Sequence, residues 1–180
     1  IRGERVFAGT ARLDDENVGD RALLALSARD GSVAWRTPLR WNPWGAPSVA
    51  EPQGGEALVL VGCSSIRYDP ARLAGASGEV TAVKLESGDV AWHLDVPGGV
   101  LAPISISSAG DLAFFPATDG AVRAVRTATG EVVWQKPGGA PFFAALALTG
   151  PRLYAADLDG GLHALEAANG NEVWRLAVLT

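Results

Sequence analysis

The sequence is poor in the residues that most protein chemistry relies on. In 180 residues it has no methionine, one cysteine (Cys63) and two histidines (His93 and His163). A single cysteine excludes an internal disulfide and sets no redox compartment. With no histidine placed beside it by the sequence, Cys63 reads as a small buried residue rather than a nucleophile. No apolar run approaches the roughly 20 residues that a membrane-spanning helix requires. Positive charge is also scarce: 15 Lys and Arg stand against 20 Asp and Glu, for a formal net charge of -5. That balance argues against a nucleic-acid partner, because phosphate binding needs a basic surface. There is no Gly-x-Ser-x-Gly elbow, no phosphate-cradling loop and no Ser/His/Asp arrangement. No helix is predicted beyond a single turn at Asp69–Leu73. The chain begins at Ile1 without any methionine, the pattern expected of a processed or excised piece whose targeting segment would lie out of view.

What the chain has instead is one phrase repeated four times. Ala25, Gly31 and Trp35, then Ala82, Gly88 and Trp92, then Ala124, Gly130 and Trp134, then Ala164, Gly170 and Trp174 keep one internal spacing. A recurrence of about 40 residues marks stacked or radial repeats. The apolar alternation before each Gly reads as a strand, the pair ending in Gly as a tight turn, and the alternation after it as a second, antiparallel strand. Asp30-Gly31 and Asn169-Gly170 predict type I′ hairpins with positive φ at both central residues. Ser87-Gly88 and Thr129-Gly130 are weaker versions of the same signal. Strict alternation after the turn puts Val33 with Trp35, Val90 with Trp92 and Val132 with Trp134 on one face, and Ala34, Ala91 and Val133 on the other. That strand is therefore expected to be buried on both sides, between neighbouring sheets.

The phrase resembles the propeller repeats of the pyrroloquinoline-quinone type over nearly the whole chain. The resemblance implies an all-β fold of about four β-propeller blades, in which the tryptophan near the end of each blade docks onto the adjacent blade beside small Ala and Gly residues. Labelling strands A to D outward from the axis, residues 1–40 hold strands B to D of blade one. Blade two is 41–97, blade three 98–137 and blade four 138–180. With strand A of blade one missing, the expectation is an open arc or part of a larger propeller. Further blades of the same polypeptide, another copy or a different subunit would then cover its ends.

The function implied by the resemblance is a non-catalytic scaffold for protein-protein contacts, similar to outer-membrane assembly lipoproteins and accessory subunits built from these repeats. Its location would be periplasmic or otherwise extracytoplasmic. The alternatives are a segment of a quinoprotein dehydrogenase, with quinone and calcium on the axis, or a ligand-sensing propeller domain. Such dehydrogenases carry an adjacent cysteine pair beside the quinone, whereas this chain has Cys63 alone. Their quinone-stacking Trp, calcium-ligating carboxylate and catalytic Asp have no assignable counterparts. The reading is therefore a non-enzyme with no cofactor, metal or catalytic residue assigned.

Strand parity locates a candidate binding face. The connection between strands B and C is tight at Asp119-Gly120 and Asp159-Gly160 and long only in blades one and two. Antiparallel order puts these loops at the same end as the linkers between blades. That end gathers Leu13–Gly19, Arg40–Trp44 and Cys63–Ala76, and with them Arg40, Trp41, Trp44, Arg67, Tyr68 and Arg72. Trp, Tyr and Arg are enriched at binding hot spots. Trp41 and Trp44 lie outside the repeated phrase; they either meet a protein partner or fold inward beneath the long loop. Asp157-Leu158-Asp159-Gly160 opens like a calcium loop, but such a loop needs further oxygen ligands and a late bidentate Glu. Asp119-Gly120 occupies the same repeat position, so a hairpin is expected. Asp14–Asn17 reads as a solvated loop, and His93 and His163 are isolated from any metal-ligand spacing. Glu172 stands where the other phrases have Val, which predicts a less enclosed face at Trp174 than at Trp134.

Overall fold

The computed structural model describes residues 1–10, 20–66 and 75–178. The readings made for Asp14–Asn17, for Asp69–Leu73 and for Arg67, Tyr68 and Arg72 lie outside the described residues. Those that are described form sixteen strands and no α-helix. The first sheet orders β1 (Arg5–Thr10), β2 (Ala22–Ser27) and β3 (Val33–Pro38). The second holds β4 (Asn42–Pro43), β5 (Ser48–Ala50), β6 (Leu58–Ser64), β7 (Gly78–Lys84) and β8 (Val90–Val96), with β4 and β5 both pairing with β6. The third is β9 (Ser105–Ile106), β10 (Leu112–Pro116), β11 (Ala121–Arg126) and β12 (Val132–Pro137). The fourth is β13 (Ala147–Thr149), β14 (Arg152–Ala156), β15 (Gly161–Glu166) and β16 (Glu172–Ala177). All pairings are antiparallel and the four sheets form an open arc.

The innermost strands are shorter than the pattern predicts. Leu101–Ser107 and Phe142–Leu148 read as strands, yet only Ser105–Ile106 and Ala147–Thr149 form strands there, with Phe142 adding one isolated antiparallel bridge to Asp157. The residues just before these short strands also bond backward to the preceding sheet. Val100 N–H donates to the Cys63 carbonyl at 3.2 Å, and Phe142 N–H to the Ala117 carbonyl at 3.2 Å. These linkers tie each sheet to its neighbour near the axis.

Two local readings of the repeat are corrected. In each outer hairpin only the glycine has positive φ: Gly31 (73°), Gly88 (76°), Gly130 (74°) and Gly170 (72°), while Asp30 and Asn169 do not. The turn is a wider loop, with Gly31 N–H donating to the Ser27 carbonyl at 2.9 Å and Ser27 N–H to the Ser32 carbonyl at 2.8 Å, rather than a two-residue type I′ turn. Strict alternation after the turn also fails. Ala25 pairs with Trp35 but Leu26 with Val33, so Ala34 is an extra residue, a β-bulge. Ala91, Val133 and Val173 are the corresponding extras in the other sheets. A bulge sets two residues against one. Val33 with Ala34, Val90 with Ala91 and Val132 with Val133 are therefore exposed, and the outer strand is not buried on both faces.

The repeated alanine now has a physical role. Register aligns Phe7, Ala25 and Trp35 across the first sheet, Phe114, Ala124 and Trp134 across the third, and Tyr154, Ala164 and Trp174 across the fourth. Because the central residue is only a methyl group, the two rings lean together over it, with centroids 5.8, 6.0 and 5.9 Å apart. The ridges of the first and third sheets, and the row through Leu60 and Ala82 in the second, pack against the next sheet, whereas Trp174 in the fourth is 44% exposed. Leu23, Ala25 and Trp35 meet Val59, Val61 and Val83. Leu60, Val80 and Ala82 meet Ala113, Phe115 and Val125. Phe114, Ala124 and Trp134 meet Leu153, Ala155 and Leu165. The core is thus three seams between four sheets, and non-directional apolar burial holds each seam.

Candidate functional site

The end of the arc that carries the linkers between sheets also concentrates polar chemistry. Leaving β3, the chain presents Arg40 and Trp41, and the Leu39 N–H donates to the Arg21 carbonyl at 3.0 Å, which fixes Arg21 beside them. Trp41 is half-buried against the first seam. Two guanidinium groups approach its ring, Arg40 Cζ at 5.1 Å and Arg21 Cζ at 5.8 Å from the centroid. An aromatic face attracts cations through its quadrupole. Arg21 also donates to the Arg40 carbonyl, and Arg40 reaches Asp95 at the end of β8 at 3.1 Å. Arg40, Trp41, Ser77, Gly78, Asp95, Val96 and Pro97 line a cleft of about 320 Å³. Its walls come from the linker after β3 and from the second sheet.

Of the residues singled out in the sequence, Arg40 and Trp41 meet here. Trp44 does not: it turns toward β6, where its backbone N–H donates to the Gly62 carbonyl at 3.3 Å. Its indole Nε1 is buried with no partner among the described residues, as is the Asn42 Oδ1. Arg21 and Asp95 were missed. The signal for Arg21 lay in hairpin register, because pairing Ala22 with Pro38 brings residue 21 to the start of the linker.

A second polar cluster lies at the same end of the fourth sheet. The sequence gives His163 no metal-ligand spacing, and folding sets its Nε2 2.8 Å from Asp157 Oδ2 and its Nδ1 3.4 Å from Glu172 Oε2. Asp157 Oδ1 accepts the backbone N–H groups of Asp159 at 3.1 Å and Gly161 at 2.6 Å. Burial acts to raise the Asp157 carboxyl, but the bonds from His163 and Gly161 outweigh it and hold the group below its ordinary value. Asp157–Gly160 is therefore a hairpin whose carboxylate turns inward. The third sheet has a parallel arrangement, in which Arg123 spans Asp119 and Gln135. Among the described residues no group of three or more His, Cys, Asp or Glu side chains could hold a metal ion. Cys63 is fully buried in the first seam, and burial, reinforced by the charge of Glu79, pushes its thiol up to about 12. A thiol so placed is inert as a nucleophile at neutral pH.

A family model described as outer membrane protein assembly factor BamB matches residues 1–101 and 76–180. The chain belongs to this family. The BamB of Shewanella oneidensis is 25% identical over 193 residues, covering 96% of this chain and 44% of that protein. The chain thus spans less than half the length of that relative. Among solved structures, BamB of Moraxella catarrhalis superposes with a TM-score of 0.61 at 23% identity, over 96% of this chain and 52% of that one. A quinohemoprotein alcohol dehydrogenase of Pseudomonas putida gives a TM-score of 0.77 at 17% identity, over 98% of this chain and 33% of that one. At such identities the structural likeness shows the propeller fold alone, which BamB proteins share with enzymes.

Proposed function

We propose that this BamB-family chain is a non-catalytic propeller scaffold that holds other proteins outside the cytoplasm, with the four sheets as blades 1–40, 41–97, 98–137 and 138–180. The observation that carries the reading is the cleft beside Trp41. It offers a half-buried indole, the Arg40 guanidinium and one carboxylate between the linker after β3 and the second sheet, with the Arg21 guanidinium also near the indole. This is the composition of a protein-binding hot spot, where aromatic and Arg side chains anchor a partner. None of its lining residues pairs a nucleophile with a general base.

The name of the Shewanella relative suggests the class of partner: proteins that assemble the outer membrane. Arg40, Trp41 and Trp44, together with Arg67, Tyr68 and Arg72, are the proposed contact residues. Quinone chemistry finds little support in these residues, because Cys63 is single and buried and the described residues supply no metal-binding cluster.

The test is co-purification of outer-membrane assembly proteins with the tagged chain, comparing wild type with Trp41→Ala and Arg40→Glu. Loss of those proteins at an unchanged melting temperature is the expected result. Unfolding of both variants, or a shifted absorption band on adding pyrroloquinoline quinone with calcium, would contradict it.

A further inference from the structure

The four outer hairpins share one turn, and in each a side-chain oxygen holds it. Asp30 Oδ1 accepts the Ser32 N–H at 3.0 Å, Ser87 Oγ that of Asp89 at 3.2 Å, Thr129 Oγ1 that of Glu131 at 3.3 Å and Asn169 Oδ1 that of Asn171 at 2.9 Å. Short polar side chains stabilise turns in this way. Asp, Ser, Thr and Asn therefore serve the fold alike, but they differ in chemistry. Among the asparagines of the chain only Asn169 precedes a glycine, and the fourth hairpin carries it. Glycine has no Cβ to shield its backbone nitrogen, so an Asn-Gly pair is the one most open to attack by that nitrogen on the side-chain amide. An Asp-Gly pair follows the same path only from the neutral acid, and at Asp30 hydrogen bonds from Ser32 hold the carboxyl below its ordinary value.

The folded hairpin restrains each reacting group. Gly170 N–H donates to the Glu166 carbonyl at 2.8 Å, and Gly170 is buried beneath the Trp134 ring, where a Cβ would fall 2.6 Å from Cε3. Asn169 Oδ1 is engaged by Asn171, and Nδ2 donates to Glu166 Oε2 at 3.0 Å. Trp134 Nε1 donates to the Ala167 carbonyl at 3.0 Å within the same turn, so ring and hairpin hold each other. Asn169 itself is exposed, and water and base reach it once the turn opens.

We propose that Asn169 is a site of spontaneous deamidation, gated by the seam between the third and fourth sheets. When the hairpin opens, base removes the Gly170 N–H proton and the nitrogen attacks Asn169 Cγ. An N–Cγ bond forms, the Cγ–Nδ2 bond breaks, and the amide nitrogen leaves as ammonia. Water then adds to the cyclic imide. Cleavage at Cγ leaves aspartate, and cleavage at the main-chain carbonyl leaves isoaspartate, whose backbone is longer by one carbon. Aspartate still supplies the oxygen that the turn uses, as Asp30 does in the first hairpin. Isoaspartate instead displaces Gly170 from under a ring that leaves it no clearance. The modification is thus suppressed while the seam is closed, and keeps the seam from closing once it has occurred.

Ageing the chain at neutral and mildly alkaline pH, with and without urea, tests the proposal. Peptide mapping by mass spectrometry follows conversion at Asn169, and an isoaspartate methyltransferase measures the isoaspartate formed. Conversion should be slower in the folded chain than in urea by about a hundredfold or more, because only the open fraction reacts. Trp134→Ala frees the turn and should speed conversion in the absence of urea by about tenfold or more. Asn169→Thr, with the residue that the third hairpin has at this place, should abolish the reaction at unchanged melting temperature. The separated isoaspartate form should melt below Asn169→Asp, which has the same composition and an ordinary backbone. Conversion as fast in the folded chain as in urea, or unmoved by Trp134→Ala, would overturn the gate. An isoaspartate form that melts with Asn169→Asp would overturn the effect on the seam, and no conversion at Asn169 in either solvent would overturn the site itself.

Discussion

Trp134 and Gly170 meet so closely that a Cβ on Gly170 would stand 2.6 Å from the indole Cε3. Gly170 and Gly31 share nearly the same backbone, with φ of 72° and 73°, but only Gly170 lies under a ring. Replacing each by Ala separates backbone strain from the clash. Both variants should lose about 1–2 kcal/mol from the left-handed conformation, and Gly170→Ala a further 1–3 kcal/mol or so from overpacking. Urea denaturation measures both. Equal losses would mean that the ring contact contributes nothing.

Asp157 and His163 form a buried pair, with side chains 0% and 3% exposed and 2.8 Å between Nε2 and Oδ2. The Asp157 carboxyl titrates below its ordinary value of 3.8 in the folded chain. A lowered carboxyl adds stability that is complete above the unfolded value and fades as pH falls through the folded one. Asp157→Asn should therefore cost about 1–3 kcal/mol at pH 7, as weakening buried hydrogen bonds to a charged acceptor does. The gap from wild type should narrow below about pH 4. Denaturation at pH 7, 5 and 3 checks this; a gap that stays constant would show that the charge of Asp157 is not what matters.

Cys63 should react with a thiol reagent only when the chain opens, because burial both hides the sulfur and pushes its thiol up to about 12. Labelling at neutral pH should speed up with urea in step with unfolding. Fast labelling under native conditions would show that the first seam opens locally.

Much of the fold was legible because apolar alternation and glycine turns are local signals. Leu112–Pro116, Ala121–Arg126 and Arg152–Ala156 are strands to the residue as the pattern predicts. The bulges at Ala34, Ala91 and Val133 were not legible. One extra residue leaves the apolar composition of the strand unchanged and alters only which face each side chain takes. The inner strands run shorter than the pattern because their approach is shared between sheets: Phe142 bridges Asp157 of its own sheet and also donates to the Ala117 carbonyl of the preceding one. At the candidate site, Trp41 and Trp44 could be noticed because they stand outside the repeat. Their different settings depend on tertiary packing: two guanidinium groups at Trp41, an unpartnered indole N–H at Trp44. His163 looked isolated because its partners Asp157 and Glu172 are brought to it by hairpin folding, not by ligand-like spacing.

The account rests on three seams, each locked by one tryptophan, with Trp174 of the fourth sheet outside them. Equilibrium unfolding of Trp134→Ala and Trp174→Ala tests it most directly. Trp134 is 9% exposed and hydrogen-bonded to the Ala167 carbonyl at 3.0 Å, whereas Trp174 is 44% exposed. Truncating Trp134 should cost about 3–5 kcal/mol, the usual loss for a buried tryptophan, and truncating Trp174 roughly a third of that. Equal losses in the two variants would contradict the open arc of locked sheets.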